Sequence, residues 1–146
     1  MNGFDKLFPV TAKILDITDN CSVNGIMETI SKIREAGVDY KDIGQDMVGK
    51  YITYDHWNPF TDKLTKVCAR IKKVDDSDEW HKYEKIVADV FEKYPDRKDW
   101  EFIPNGTITI KHLRGISVKP YPKKWFDKKF IETIGEDYLK TLNYGK

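Results

Sequence analysis

At 146 residues, with 40% hydrophobic and 13% aromatic residues, the chain has the size of one domain and enough apolar surface to offset the entropy of ordering, which excludes general disorder. Its 25 basic and 24 acidic residues leave a formal net charge of +1, so it is not a polycation that would bind any nucleic acid through bulk charge. The two cysteines, Cys21 and Cys68, lie far apart with no CxxC, which removes the usual zinc spacings and thioredoxin-like motifs and leaves them as small buried or half-buried thiols.

Residues 1–9 carry Asp5 and Lys6 and no long apolar core, unlike a signal peptide. No apolar run approaches the ~20 residues that a membrane helix requires. The expectation is a single soluble, cytoplasmic domain spanning 1–146, with no membrane association.

In chain order, residues 10–17 (VTAKILDI) mix β-branched and alternating polar positions and predict a first strand. Asn24 can cap a helix over about 24–36, whose apolar Ile26, Met27, Ile30 and Ile33 recur at helical spacing and which Gly37 closes. Residues 38–48 suggest only a short helical turn around 42–47. Residues 50–56 alternate as a half-buried strand, Asn58-Pro59 supplies turn chemistry, and residues 64–74 alternate again. In that second strand Leu64, Lys66, Cys68 and Arg70 share one face, and Thr65, Val67, Ala69 and Ile71 the other. Together the two segments read as an antiparallel hairpin.

Trp80, Tyr83, Val87, Val90, Phe91 and Tyr94 then recur in steps of three and four, which predicts a long helix over about 77–94 that Pro95 stops. Residues 100–103 and 107–111 flank Pro104-Asn105-Gly106 and read as a second hairpin, because Asn-Gly supplies the positive φ values of a tight turn. The strand resumes at 116–119 after a break at Gly115, and Pro120 and Pro122 end it. Phe126, Phe130 and Ile134 at four-residue spacing mark a C-terminal helix over about 123–134, with a further turn through Tyr138, Leu139 and Leu142. The fold class is α+β, with about five mostly antiparallel strands forming a small barrel or curled sheet.

The order of Gly49, strand, Asn-Pro loop, strand, Asn105-Gly106 hairpin and Gly-interrupted finish resembles an SH3-like small barrel of the KOW and Tudor-like kind, over residues 48–119 with the long helix as an insertion. That resemblance implies a binding module acting through loops and exposed aromatics, without naming its ligand. The Lys- and Tyr-rich composition also looks like that of phage-encoded accessory proteins.

The charges are sorted along the chain. Ten acids against five cations lie between Asp75 and Glu101, whereas Lys111, Arg114, Lys119, Lys123, Lys124, Lys128 and Lys129 face the single acid Asp127 between 111 and 130. Tyr121 and Trp125 lie among those cations, and Trp57, beside Asn58-Pro59, is a further candidate exposed ring. Cations for phosphates beside rings for bases are what a nucleic-acid surface needs. Phe126 and Phe130, by contrast, fall at helical spacing with Ile134 and belong to the core.

Catalytic signatures are weak. Asp55 and His56 are adjacent on a strand and point to opposite faces. His81 and Glu84 share a helix face but lack further ligands. Cys68 has no local nucleophile signature, and Asp96, Asp99, Glu101 and Lys111 lack the Glu-x-Lys pair of metal-dependent nucleases. No phosphate-cradling glycine loop is present. No catalytic residue, metal or cofactor is expected. The leading expectation is a non-enzymatic nucleic-acid-binding accessory or regulatory protein, DNA ahead of RNA. The alternative is a regulator or inhibitor of a host or partner enzyme, acting through the acidic 75–101 region or an aromatic patch. A small nuclease or hydrolase ranks last.

Overall fold

The computed structural model describes residues 3–20, 25–59, 62–76 and 84–134. The chain opens with two helices, α1 (Gly3–Leu7) and α2 (Pro9–Asn20), where residues 10–17 had suggested a strand. Pro9 suits a first helical position. Phe8, Thr11, Ala12 and Leu15 are buried, and that spacing is the period of a helix. The N-terminal cap comes from far away. The Asp46 carboxylate accepts from the Val10 and Thr11 amides (3.0 and 3.4 Å) and from the Thr11 hydroxyl. That hydroxyl accepts in turn from the Gly44 amide at 2.8 Å.

Helix α3 (Ile26–Glu35) follows expectation and ends where Gly37 adopts a φ of +84°. The predicted cap Asn24 lies outside the described residues. A 3-10 turn at Tyr40–Asp42 follows, closed by an Asp39–Asp42 capping box, and delivers the buried Ile43 and Met47 to the core.

Five strands form one sheet: β1 (Tyr51–Asn58), β2 (Lys63–Val74), β3 (Lys85–Lys93), β4 (Glu101–Thr109) and β5 (Lys119–Pro120). Their order is β4-β3-β2-β1-β5 and every neighbouring pair is antiparallel. β4 and β5 remain edges, so the sheet is open and not the closed barrel of the SH3-like resemblance. The predicted β1–β2 hairpin is present.

The predicted helix over 77–94 is corrected in its second half, since 85–93 is the strand β3; Trp80, His81 and Tyr83 lie outside the described residues. Residues 86 to 91 are all buried. A strand covered on both faces carries a continuous apolar run without alternation, and its apolar positions can mimic helical spacing. The predicted Asn105-Gly106 hairpin is also corrected. β4 runs straight through these residues, and Pro104 and Asn105 form a bulge opposite Asp89, with Ala88 paired to Gly106 and Val90 to Ile103. Asn105 takes the positive φ of +52°, and Pro104 is tolerated because β4 is an edge strand. Residues 110–114 form a short helix, α4 (Ile110–Arg114), in place of the predicted return strand.

Helices cover both faces of the sheet. On one side, Phe4, Phe8, Ile14, Ile33, Met47 and Leu113 from α1–α4 and the intervening turn pack on Ile52, Val67, Ala69, Ile71, Ile86 and Ile108. On the other, helix α5 (Lys123–Ile134), with its predicted bounds, places Phe126 and Phe130 on Cys68 and Phe91. The predicted turn through Leu142 lies outside the described residues. Among the described residues, no helix is long and apolar enough to cross a membrane.

Candidate nucleic-acid interface

Alternation along β1 sends Tyr51, Thr53, Asp55 and Trp57 to the α5 side. The register sets each opposite a β2 residue on that same face: Tyr51 with Arg70, Thr53 with Cys68, Asp55 with Lys66, and Trp57 with Leu64. On the outer flank of β1, Thr53 also faces Lys119 of β5.

α5 covers the Tyr51–Arg70 end of this face. Arg70 lies over the rings of Phe126 and Phe130 (5.4 and 4.6 Å) and pairs with Asp89 at 2.6 Å. Asp127 of α5 accepts from the Tyr51 hydroxyl at 3.0 Å. The opposite end, six residues and ~20 Å further along the strands at ~3.3 Å per residue, is uncovered. There Trp57 is 50% and Leu64 53% exposed.

Tyr121 stands at the boundary. Its amide donates to the Tyr51 carbonyl at 2.9 Å, and the Lys66 ammonium sits 5.9 Å from its ring centre. Burial, and then the neighbouring Cys68, push its phenol up to about 12. Burial likewise raises the Cys68 thiol, although hydrogen bonds with Thr53 and Tyr121 work against that shift. Trp125 completes an aromatic shelf: its ring is 5.1 Å from Tyr121, 5.0 Å from Trp100 and 6.2 Å from Phe91.

The nine residues expected from sequence therefore separate. Lys119, Lys123, Lys124 and Lys128 are exposed on β5 and α5, Lys129 is half-buried, and Tyr121 and Trp125 join them as half-buried rings. Lys111 and Arg114 do not. Both belong to α4, whose Ile110 and Leu113 are buried in the core of the other side. Lys111 pairs with Asp19 at 3.3 Å, and Arg114 bridges Asp5 at 3.2 Å and Asp16. Trp57, expected in a loop, is in β1 and exposed. Lys66 was not among the sequence candidates. Its alternation with Leu64 was visible, but the β1–β2 register and the position of α5, which bring it beside Tyr121, were not.

The described acids of 75–101 do not share one surface. Asp89 is buried among Arg70, Lys72 and the Asn105 amide on the α5 side, Glu92 faces the other side of the sheet, and Glu101 pairs with Arg97 at 3.6 Å. Among the described residues, no group of three or more His, Cys, Asp or Glu side chains is placed to hold a metal ion. No protein-family model, curated protein or solved structure matches the chain.

Proposed function

We propose that this protein is a non-enzymatic nucleic-acid-binding accessory protein, with single-stranded DNA as the first ligand to test. The observation that carries the reading is the convergence of Lys66 and Lys119, through the β2–β1–β5 register, on the face that holds Tyr121 and the exposed Trp57. Lys123 and Lys124 continue this positive strip at the start of α5. A strand laid along it would place phosphates on the lysines and bases on the rings.

A local anomaly supports the same reading. The first turn of α5 holds two lysines and no acid, against the positive end of the helix dipole. Such a placement costs ~0.3–1 kcal/mol for each charge. Locally unfavourable choices of this kind are expected where a surface serves binding. Asp55, opposite Lys66, is an exposed acid at the uncovered end of this face and limits its potential. The dispersal of Asp89, Glu92 and Glu101 weighs against a protein partner held by one acidic surface.

Fluorescence anisotropy with labelled single-stranded DNA, duplex DNA and RNA across a salt series tests the proposal. Neutralising four phosphates predicts a slope of log K against log salt of about −3 on single strands. Exchanging Lys66, Lys119 and Lys123 for Glu should abolish binding, whereas Arg114→Gln, on the opposite side, should leave it unchanged. No binding to any of the three at low salt, or full binding by the triple variant, would sink the proposal.

A further inference from the structure

The opposite side of the sheet carries a feature that this reading does not use. Between β1, β3, β4 and α4 lies an open groove of about 570 Å³, within the range of small-molecule sites. Val67, Val90 and Ile108, all buried, form its apolar floor. Tyr54 and His56 enter from β1, and α4 brings His112 over from the far end of the chain. The two imidazole rings meet edge to face, 5.9 Å between centres.

These polar groups are unspent. Elsewhere the buried Asp89 is matched by Arg70, and the half-buried Arg114 by Asp5 and Asp16. Among the described residues, by contrast, the Tyr54 hydroxyl and both histidines make no hydrogen bond. Tyr54 is only 8% exposed. Among the described residues no buried side-chain polar atom lacks a partner, so the unbonded Tyr54 hydroxyl is the part of this otherwise buried side chain that reaches the open groove, where a ligand or water can bond to it. Burial, and then the nearby Glu92, raise its pKa, so it stays a neutral phenol that can donate. Glu92 already accepts from the Tyr94 hydroxyl at 3.0 Å.

We propose that this groove is a binding site for a small ring-bearing anion of the nucleoside monophosphate class. The flat ring covers Val67, Val90 and Ile108, the Tyr54 hydroxyl donates to an oxygen on the ring or sugar, and the two imidazoles hold the phosphoryl group. The apolar floor accounts for a ring, since a bare anion gains nothing from it. The paired imidazoles account for the anion, since each presents an N–H that can donate to a phosphoryl oxygen. The carboxylate of Glu92, also in the lining, disfavours a second negative charge beside it, which leaves the histidines as the place for the phosphoryl group.

The test is calorimetry and proton NMR with adenosine monophosphate, uridine monophosphate, adenosine and inorganic phosphate as separate probes. The expected result is that at least one monophosphate binds and shifts the His56 and His112 ring resonances, while adenosine and inorganic phosphate each bind roughly tenfold or more weakly. Tyr54→Phe keeps the ring and removes only the hydroxyl, so it should stay folded by circular dichroism and lose about tenfold in affinity. The triple exchange of Lys66, Lys119 and Lys123 for Glu should leave monophosphate binding intact, which separates this site from the basic face. If no monophosphate shifts either histidine, if phosphate alone binds as tightly as the monophosphates, or if Tyr54→Phe binds undiminished, the proposal is overturned.

Discussion

Replacing Arg70 with Met probes what fastens α5 to the sheet. Arg70 has a side-chain exposure of 14% and Asp89 of 1%, and they meet at 2.6 Å. Removing one partner of a buried ion pair costs ~3–5 kcal/mol, because the other charge is left in a poorly solvated place. Lys72 remains 3.6 Å from the Asp89 carboxylate, and the Asn105 amide still donates to it at 3.2 Å. Part of the loss is therefore offset. Methionine also restores contact with Phe126 and Phe130, where the guanidinium had stacked. The expected cost lies at the low end, about 3 kcal/mol, or roughly 6–12 °C in Tm at 2–4 °C per kcal/mol for a chain of this size. Adding Asp89→Leu should not return the protein to wild-type stability, because it strips the acceptor from the Asn105 amide, worth ~1–3 kcal/mol. Urea denaturation followed by tryptophan fluorescence measures both, with circular dichroism to confirm a folded start. A loss below about 1 kcal/mol for Arg70→Met, or full recovery in the double variant, would refute this account of the α5 layer.

Two further outcomes are expected. Gly44 has a φ of +79°, and a Cβ there would meet the Val74 Cγ2 at 2.7 Å, so Gly44→Ala should lose about 1–3 kcal/mol in denaturant titration; Gly37→Ala, with a φ of +84° but open space around it, should lose less. Tyr51, Tyr54 and Tyr121 all hold their protons above the ordinary phenol value of 10.0 in the fold. The unfolded chain loses those protons first and then binds fewer than the native one, so stability is full below pH 10 and falls as pH rises through 10 toward 12. Unfolding midpoints that stay level across that window would contradict the burial of these three rings.

The C-terminal helix was legible because Phe126, Phe130 and Ile134 repeat every turn on one face while prolines precede them, and the element stands alone against the sheet. The β1–β2 hairpin was legible for a related reason: the contrast between Leu64, Lys66 and the buried Val67, Ala69 and Ile71 is that of a strand with one open end. β3 was not. With Asp89 the only charge in a buried run, its pattern reports the two layers that cover it rather than a period. α2 was missed because its cap, Asp46, lies 36 residues beyond Val10. Of the Asn105-Gly106 pair only Asn105 has the positive φ of the expected turn, and it serves a bulge whose freed amide reaches Asp89.

The candidate interface divides in the same way. By itself the sequence determined an α+β chain of one domain's size and a basic, aromatic stretch from 111 to 130, because composition and short-range spacing are local properties. Tertiary structure decided which of those charges work together. Arg114 is matched by Asp5, 109 residues away, and Lys111 by Asp19, so both leave the strip; Lys66 enters it through the strand register. It also set His56 against His112 over an apolar floor, a pairing across 56 residues that no spacing rule encodes. Charge and hydroxyl satisfaction depend on which groups meet in space, and only the packing of both layers on the sheet settles that.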